Sequence, residues 1–296
     1  MEDAGNLFFM LPRWYLGTIA FVFGAIWGSF ANVAISRLPE GLSVLWPPSR
    51  CPTCSSRIRY YDNIPIFSWF ILRGRCRDCE VPISFRYPMV ELLVALLSLG
   101  IVLRSGSAAM YFLYFTFLLA LVILSFIDLD HWMLPDVITL PGIALGLAVS
   151  FFHPGVPSGF TIGPIDSVIG AAFGAGILYA VALVFRLVTG KVAMGFGDVK
   201  MMAMVGAFLG WRSIVPVIFL SSLQGSLAGI AILLFSKRPK PLPRNEKQAE
   251  GDQEEEDFVP TSHHVPYGPF IALGAMEYLF WGSGFFDLIR GLFVIG

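Results

Sequence analysis

The sequence has 296 residues, of which 56% are apolar and only 14% charged, with a mean hydropathy of +0.71 and a formal net charge of −1. A soluble chain carries about a quarter charged residues, so this composition excludes an ordinary soluble domain, and with it collagen, a disulfide scaffold and a disordered tail. The near-zero charge gives nucleic-acid binding no support.

The charge deficit is concentrated in long runs. Residues 14–36, 105–127, 137–165, 167–185 and 213–236 contain no Asp, Glu, Lys or Arg. A helix needs about 20 apolar residues to cross the hydrocarbon core. The runs are continuous rather than alternating, which excludes a β-barrel. The expectation is an all-α polytopic membrane protein with about eight spans, near 14–36, 88–104, 108–127, 137–153, 166–186, 198–211, 213–235 and 266–288. The second and sixth are short, with uncharged cores at 92–103 and 201–211. Each must borrow flanking residues or sit in a thinned or protein-lined environment.

The N-terminus (Glu2, Asp3, lone Arg13) lacks the basic region and cleavage site of a signal peptide, so the first run is expected to stay as a span. If the loop after it is cytoplasmic, sixteen of the twenty Lys and Arg residues fall on that face, leaving Arg13, Arg104, Arg212 and Arg290 on the other. That is the positive-inside asymmetry, and both termini then lie outside. The domain reading follows: 1–37 as N-terminus and first span, 38–87 as a cytoplasmic insert, 88–236 as the membrane core, 237–265 as a charged linker, and 266–296 as the last span. Residues 237–262 pass from basic to acidic and cannot bury enough apolar surface to fold.

The insert holds all four cysteines, as Cys51-Pro-Thr-Cys54 and Cys76-Arg-Asp-Cys79 with 21 residues between the pairs. Two such knuckles present four thiolates, enough for a closed tetrahedral zinc site. A reducing cytosol disfavours disulfides. Redox chemistry needs one pair rather than two, while an iron–sulfur cluster uses the same ligands and stays open as an alternative.

Acids at the membrane edge are the next signal, because ionisable groups at membrane depth mark function by default. The third run ends at Asp128-Leu129-Asp130, followed by His131 to Asp136, and the sixth opens with Gly195-Phe196-Gly197-Asp198-Val199-Lys200. Asp128 and Asp198 stand at the cytoplasmic ends of different spans. Two facing carboxylates cannot both ionise; sharing a proton, they supply the acid and the base of aspartic-type peptide hydrolysis. Gly195 and Gly197 are expected to allow backbone angles closed to other residues and to leave room for a substrate strand. Other readings of these residues stay open. Asp130 and Asp136 can cap helices, with Asp136 at the N-cap position of the fourth span. The acid cluster can bind a divalent cation or form a proton or cation relay in a transporter, and Lys200 can snorkel to the interface.

At this point the residues resemble the type IV prepilin leader peptidases. The resemblance rests on Gly28-Ser29-Phe30-Ala31-Asn32-Val33 with Arg37-Leu38-Pro39, the paired cysteines, Arg86-Tyr87-Pro88 with Glu91-Leu92, Ile127-Asp128 with Leu134-Pro135-Asp136, the Gly195–Lys200 motif, and Pro266-Tyr267-Gly268-Pro269-Phe270. It implies a bifunctional inner-membrane enzyme of type IV pilus or type II secretion systems. Such an enzyme cuts prepilins and pseudopilins after a Gly and then methylates the new amino terminus from S-adenosyl-L-methionine. It also implies Asp128 and Asp198 as the catalytic pair, with Asp130, Asp136, Lys200, Gly195 and Gly197 supporting. Hydrolysis by two carboxylates needs no metal, so zinc on Cys51, Cys54, Cys76 and Cys79 would be structural. The resemblance names no residue for the methyl donor, and no G-x-G-x-x-G nucleotide fold is present. The long acidic linker and the 70 residues between Asp128 and Asp198 go beyond the common pattern.

Overall fold

The computed structural model describes residues 11–152, 155–157, 159, 161–190, 194–235 and 265–294, and their side chains except at 233, 235, 283 and 285–294. The charged linker read at 237–262 lies outside the described residues. The long helices are α1 (Arg13–Arg37), α2 (Arg86–Arg104), α3 (Ala108–His131), α4 (Asp136–Ser150), α5 (Pro164–Thr189), α6 (Phe196–Leu209), α7 (Ile214–Phe235) and α8 (Gly268–Val294). Each falls on one of the apolar runs. The described residues contain no β-strand; in the insert, isolated bridges join Arg50 to Arg57 and Arg75 to Pro82. Among the described residues, five helical segments are long and apolar enough to cross a membrane: α1, α2, α3, α5 and Trp211–Ile232. The chain is an all-α membrane protein.

Two runs fold shorter than a full span. At 1.5 Å per residue, the 15 residues of α4 and the 14 of α6 reach only about 21–22 Å, against a core of about 30 Å. For α6 the compensation is visible. Met201 to Leu209 are all buried, and the helix packs on α4 and α5. Its lipid contact is therefore replaced by protein, which is where a short helix at membrane depth is tolerated.

The chain divides into two compact units. The first comprises 1–131 with 154–160, and the second 132–153 with 161–296. The division falls at the end of α3, where Trp132 adopts φ 57° and stops the helix in the left-handed conformation usually left to glycine.

In the first unit α1 crosses α2, and both contact α3. The crossing is close because it uses small residues: a Cβ on Gly28 would come within 2.6 Å of the Glu91 backbone, and one on Gly24 within 2.7 Å of the Ala95 backbone. The buried Ser98 hydroxyl donates to the Ala20 carbonyl at 2.6 Å and lies 2.7 Å from the Tyr111 hydroxyl, so a single side chain ties α1, α2 and α3. In the second unit α5 and α6 meet at Gly170 and Gly206, where an added Cβ on either would overlap the other's carbonyl oxygen. The Ser167 hydroxyl donates to the Ala207 carbonyl across the same contact at 2.6 Å.

Between α1 and α2 the insert has almost no hydrophobic core. Within residues 38–85 only Cys51, Ser68 and Gly74 are buried. Its one helix, Phe67–Ile71, exposes Phe67, Phe70 and Ile71. What organises it is a pair of matching turns around the cysteines.

Candidate active site and metal centre

Each C-x₂-C pair sits in a knuckle closed by one bridge. In the first, the Cys51 amide donates to the Ser56 carbonyl at 3.0 Å and the Ser55 amide to the Cys51 carbonyl at 2.9 Å. The second repeats this, with Cys76 to Val81 at 2.9 Å and Glu80 to Cys76 at 3.0 Å. Ser55 and Glu80, the residues just after each pair, take φ 59° and 58°. Two segments of unrelated sequence adopt one conformation because both must turn their thiols inward.

The four Sγ atoms lie within 4.8 Å of one another, with Cys51 to Cys79 at 3.7 Å and Cys54 to Cys76 at 4.0 Å. Sulfurs at the corners of a tetrahedron with Zn–S bonds of about 2.3 Å stand about 3.8 Å apart. All four cysteines are free thiols. The residues therefore fit a single tetrahedral metal ion. Electrostatics point the same way, because crowded thiols cannot all ionise without a cation. Hydrogen bonds from the Ser56 hydroxyl and amide hold Cys54 down at about 6. The Val81 amide favours the Cys79 thiolate, yet desolvation and the three neighbouring thiols push that group up to about 12.

The membrane-edge acids are distributed over both units. Asp128 lies in the last turn of α3 in the first unit, and Asp198 in the first turn of α6 in the second. Taken as whole residues they are the most buried charged ones among the described residues, 6% and 8% exposed. A charged group excluded from water is costly, so these two positions are held against a penalty.

Asp130 does not cap a helix. It lies in the last turn of α3 and accepts both Arg86 Nη1 contacts, at 2.8 and 2.6 Å. Arg86 also donates to the Phe126 carbonyl at 3.3 Å and sits 4.8 Å over the Phe126 ring. The start of α2 is thereby fastened to the end of α3, within two residues of Asp128.

Asp136 is the first residue of α4 rather than its N-cap; Pro135 takes that position, with no side-chain cap. Asp136 pairs instead with Lys200, whose Nζ lies 2.7 and 2.8 Å from its two oxygens and 5.2 Å from the Phe196 ring centre. Lys200 is thus an ion-pair partner joining α4 to α6, not a side chain reaching for the interface.

The glycine expectation also needs correction. Gly195 is the N-cap of α6 at an ordinary φ of −71°, and its nearest neighbour to an added Cβ is 3.9 Å away. Gly197 is helical; what it provides is space, since a Cβ there would approach Leu134 to 2.9 Å. Neither residue occupies a conformation closed to other amino acids.

Sequence reasoning missed two participants, Arg86 and Glu91, and both ion pairings. Arg86 and Asp130 lie 44 residues apart and Lys200 and Asp136 64 apart, so no local pattern pairs them. Glu91 was quoted in a motif but not weighed as a site residue. It is an acid one turn inside an apolar helix, the same signal that singled out Asp128 and Asp198. Its Oε2 accepts the Ile66 amide at 2.6 Å.

Comparison with known proteins matches both parts of the chain. Residues 22–105 match the family model described as the bacterial peptidase A24 N-terminal domain, which takes in the cysteine insert. Residues 114–230 match the type IV leader peptidase family, which takes in Asp128 and Asp198. A Myxococcus xanthus (strain DK1622) protein named prepilin leader peptidase/N-methyltransferase is 36% identical over 304 residues, covering 88% of this chain and 89% of its own. Proteins of the same name from Aeromonas hydrophila and Pseudomonas putida are 38% and 36% identical, over 91% and 93% of this chain and 92% and 93% of theirs. No solved structure matches. With both halves matched and relatives of this similarity along nearly the whole length, the chain belongs to the type IV leader peptidase family.

Proposed function

We propose that this protein is a membrane aspartic endopeptidase that removes the leader from type IV prepilins and pseudopilins and then N-methylates the new amino terminus. The observation that carries the peptidase reading is that Asp128 and Asp198, taken as whole residues, are the most buried acids among the described residues, each at the end of a membrane helix. In this reading one carboxylate takes a proton from a water as it attacks the scissile carbonyl. The other, protonated, polarises the carbonyl oxygen and then donates to the leaving amine. Asp130 with Arg86 positions Asp128, and Lys200 with Asp136 positions Asp198.

The surrounding arrangement belongs to the same proposal. All eight long helices cross the inner membrane, and the acids and the insert face the cytoplasm, where Lys and Arg gather. Cys51, Cys54, Cys76 and Cys79 hold a structural zinc. The relatives' shared name includes N-methyltransferase, and S-adenosyl-L-methionine is the donor expected for that reaction. The transporter alternative gains nothing from these relatives.

The test is mass spectrometry of a co-expressed prepilin with wild type, Asp128→Asn and Asp198→Asn. Wild type should remove the leader and add one methyl mass, and each variant should leave the prepilin intact. Leader removal at the wild-type rate in either variant would overturn the pairing.

A further inference from the structure

In the first unit, a cavity of about 450 Å³ lies between the insert and the ends of α1 and α2 that carry it. That volume is in the range of small-molecule sites. Its charged lining is mostly arginine, with three carboxylates, Asp62, Asp78 and Glu91. Asp62 pairs with Arg77 and Asp78 with Arg59. Arg77 holds the Asp62 carboxyl below its ordinary range. Glu91 differs: among the described residues no cation pairs with it.

The Glu91 carboxylate is instead held in place by the Ile66 amide and the Ser29 hydroxyl. The Ile66 amide that donates to it belongs to a β-branched residue at φ 66°, a conformation that costs free energy and persists where the surroundings impose it. Gly28 lets α1 lie directly against the Glu91 backbone, and Asn32, on the same cavity wall, donates to the Tyr87 carbonyl at 3.0 Å. A fixed anion lining a cavity, with no cation of its own, is a site for a cationic group. Arg86, which fastens α2 beside Asp128, precedes Glu91 by five residues, about 7 Å along the helix. The cation produced there by leader removal is the α-ammonium of the mature pilin.

We infer that Glu91 binds the newly formed pilin α-ammonium and that the cavity around it is where the amine is methylated. This rests on the methylation reading above. The ammonium gives one proton to the Glu91 carboxylate. The freed nitrogen lone pair forms a bond to the methyl carbon of a sulfonium donor, whose carbon–sulfur bond breaks with its electron pair kept on sulfur. A neutral thioether and a methylated ammonium result, and Glu91 releases its proton to water.

The experiment uses full-length protein in detergent with two synthetic peptides of a mature pilin N-terminus, one with a free amine and one N-acetylated. Wild type should bind the free amine at least about tenfold more tightly, as a charge-assisted hydrogen bond requires. Glu91→Gln should erase the preference and lower methyl addition relative to leader removal by a similar factor. In wild type, carbodiimide labelling of Glu91, read by peptide mass spectrometry, should be blocked by the free-amine peptide and not by its acetylated twin; this readout does not depend on the variant folding. Equal binding of the two peptides by wild type, or unblocked labelling, would overturn the inference. A cleaved but unmethylated product from wild type would instead overturn the methylation reading.

Discussion

Arg86 joins two helices through a set of contacts that a lysine cannot reproduce in full. One guanidinium nitrogen, Nη1, donates to both Asp130 oxygens, while Nη2 donates to the Phe126 carbonyl and the Cζ lies 4.8 Å over the Phe126 ring. A lysine ammonium is a point donor without the planar face. The pair is partly solvated, with side chains 31% and 36% exposed, so its worth is about 1 kcal/mol rather than that of a buried pair. If it positions Asp128, Arg86→Lys should slow leader removal about five- to tenfold, the rate equivalent of that energy. The fall should be in kcat rather than KM, because the substrate's own contacts are untouched. Wild-type kcat in Arg86→Lys would assign the pair to stability alone. Asp128 and Asp198 were legible in the sequence because an acid at the end of an apolar run is conspicuous by composition. The partners of Arg86 and Lys200 were not, because they are set by which helices pack together. The corrected roles of Asp136, Gly195 and Gly197 have the same origin: a cap, a snorkel and a special backbone angle are local explanations, whereas the structure uses ion pairs and steric clearance between elements.

At the scale of helices, the decisive contact of the second unit is the α5–α6 crossing. Gly170 and Gly206 let the two backbones touch, and their replacement by any larger residue drives a Cβ into a carbonyl oxygen that has no freedom to rotate away. Gly206→Ala should therefore destabilise the protein by about 1–3 kcal/mol, the range for overpacking a closed contact, measured as a lowered thermal or steric-trapping midpoint. Gly229→Ala is the control: nothing lies within 4 Å of its Cβ position, so the better helix propensity of alanine should leave stability unchanged or raise it by up to about 1 kcal/mol. Equal loss in both would mean the crossing is looser than described. The helices themselves could be read from uncharged runs and the prolines between them, and their ends fell within a few residues. The brevity of α6 was legible too, as an 11-residue uncharged core. Its partners were not, since a helix buried on nearly every side carries no apolar stripe to say which neighbour it faces.

Across the whole molecule two kinds of folding coexist. The membrane helices bury side chains against one another, whereas the insert has one buried apolar side chain, Cys51, and that is itself a metal ligand. Four thiols at tetrahedral spacing with no hydrophobic core around them describe a segment whose folded state depends on the ion. The paired-cysteine spacing made this legible in advance; the matching left-handed turns at Ser55 and Glu80 were not, because neither residue type favours that conformation. One zinc per chain is expected by elemental analysis, falling to none when Cys51 and Cys76 are both replaced by serine. Stripping the metal with a strong chelator should speed hydrogen exchange at the Cys51, Ser55, Cys76 and Glu80 amides, which close the two knuckles. The rise should be at least a hundredfold, since metal binding is worth far more than the few kcal/mol such a factor represents. Exchange in α3, which packs on α1 and α2, should stay as it was. Knuckle amides that remain protected without metal would mean that the insert folds on the hydrogen bonds of its turns, and that the thiols were gathered for some other ligand.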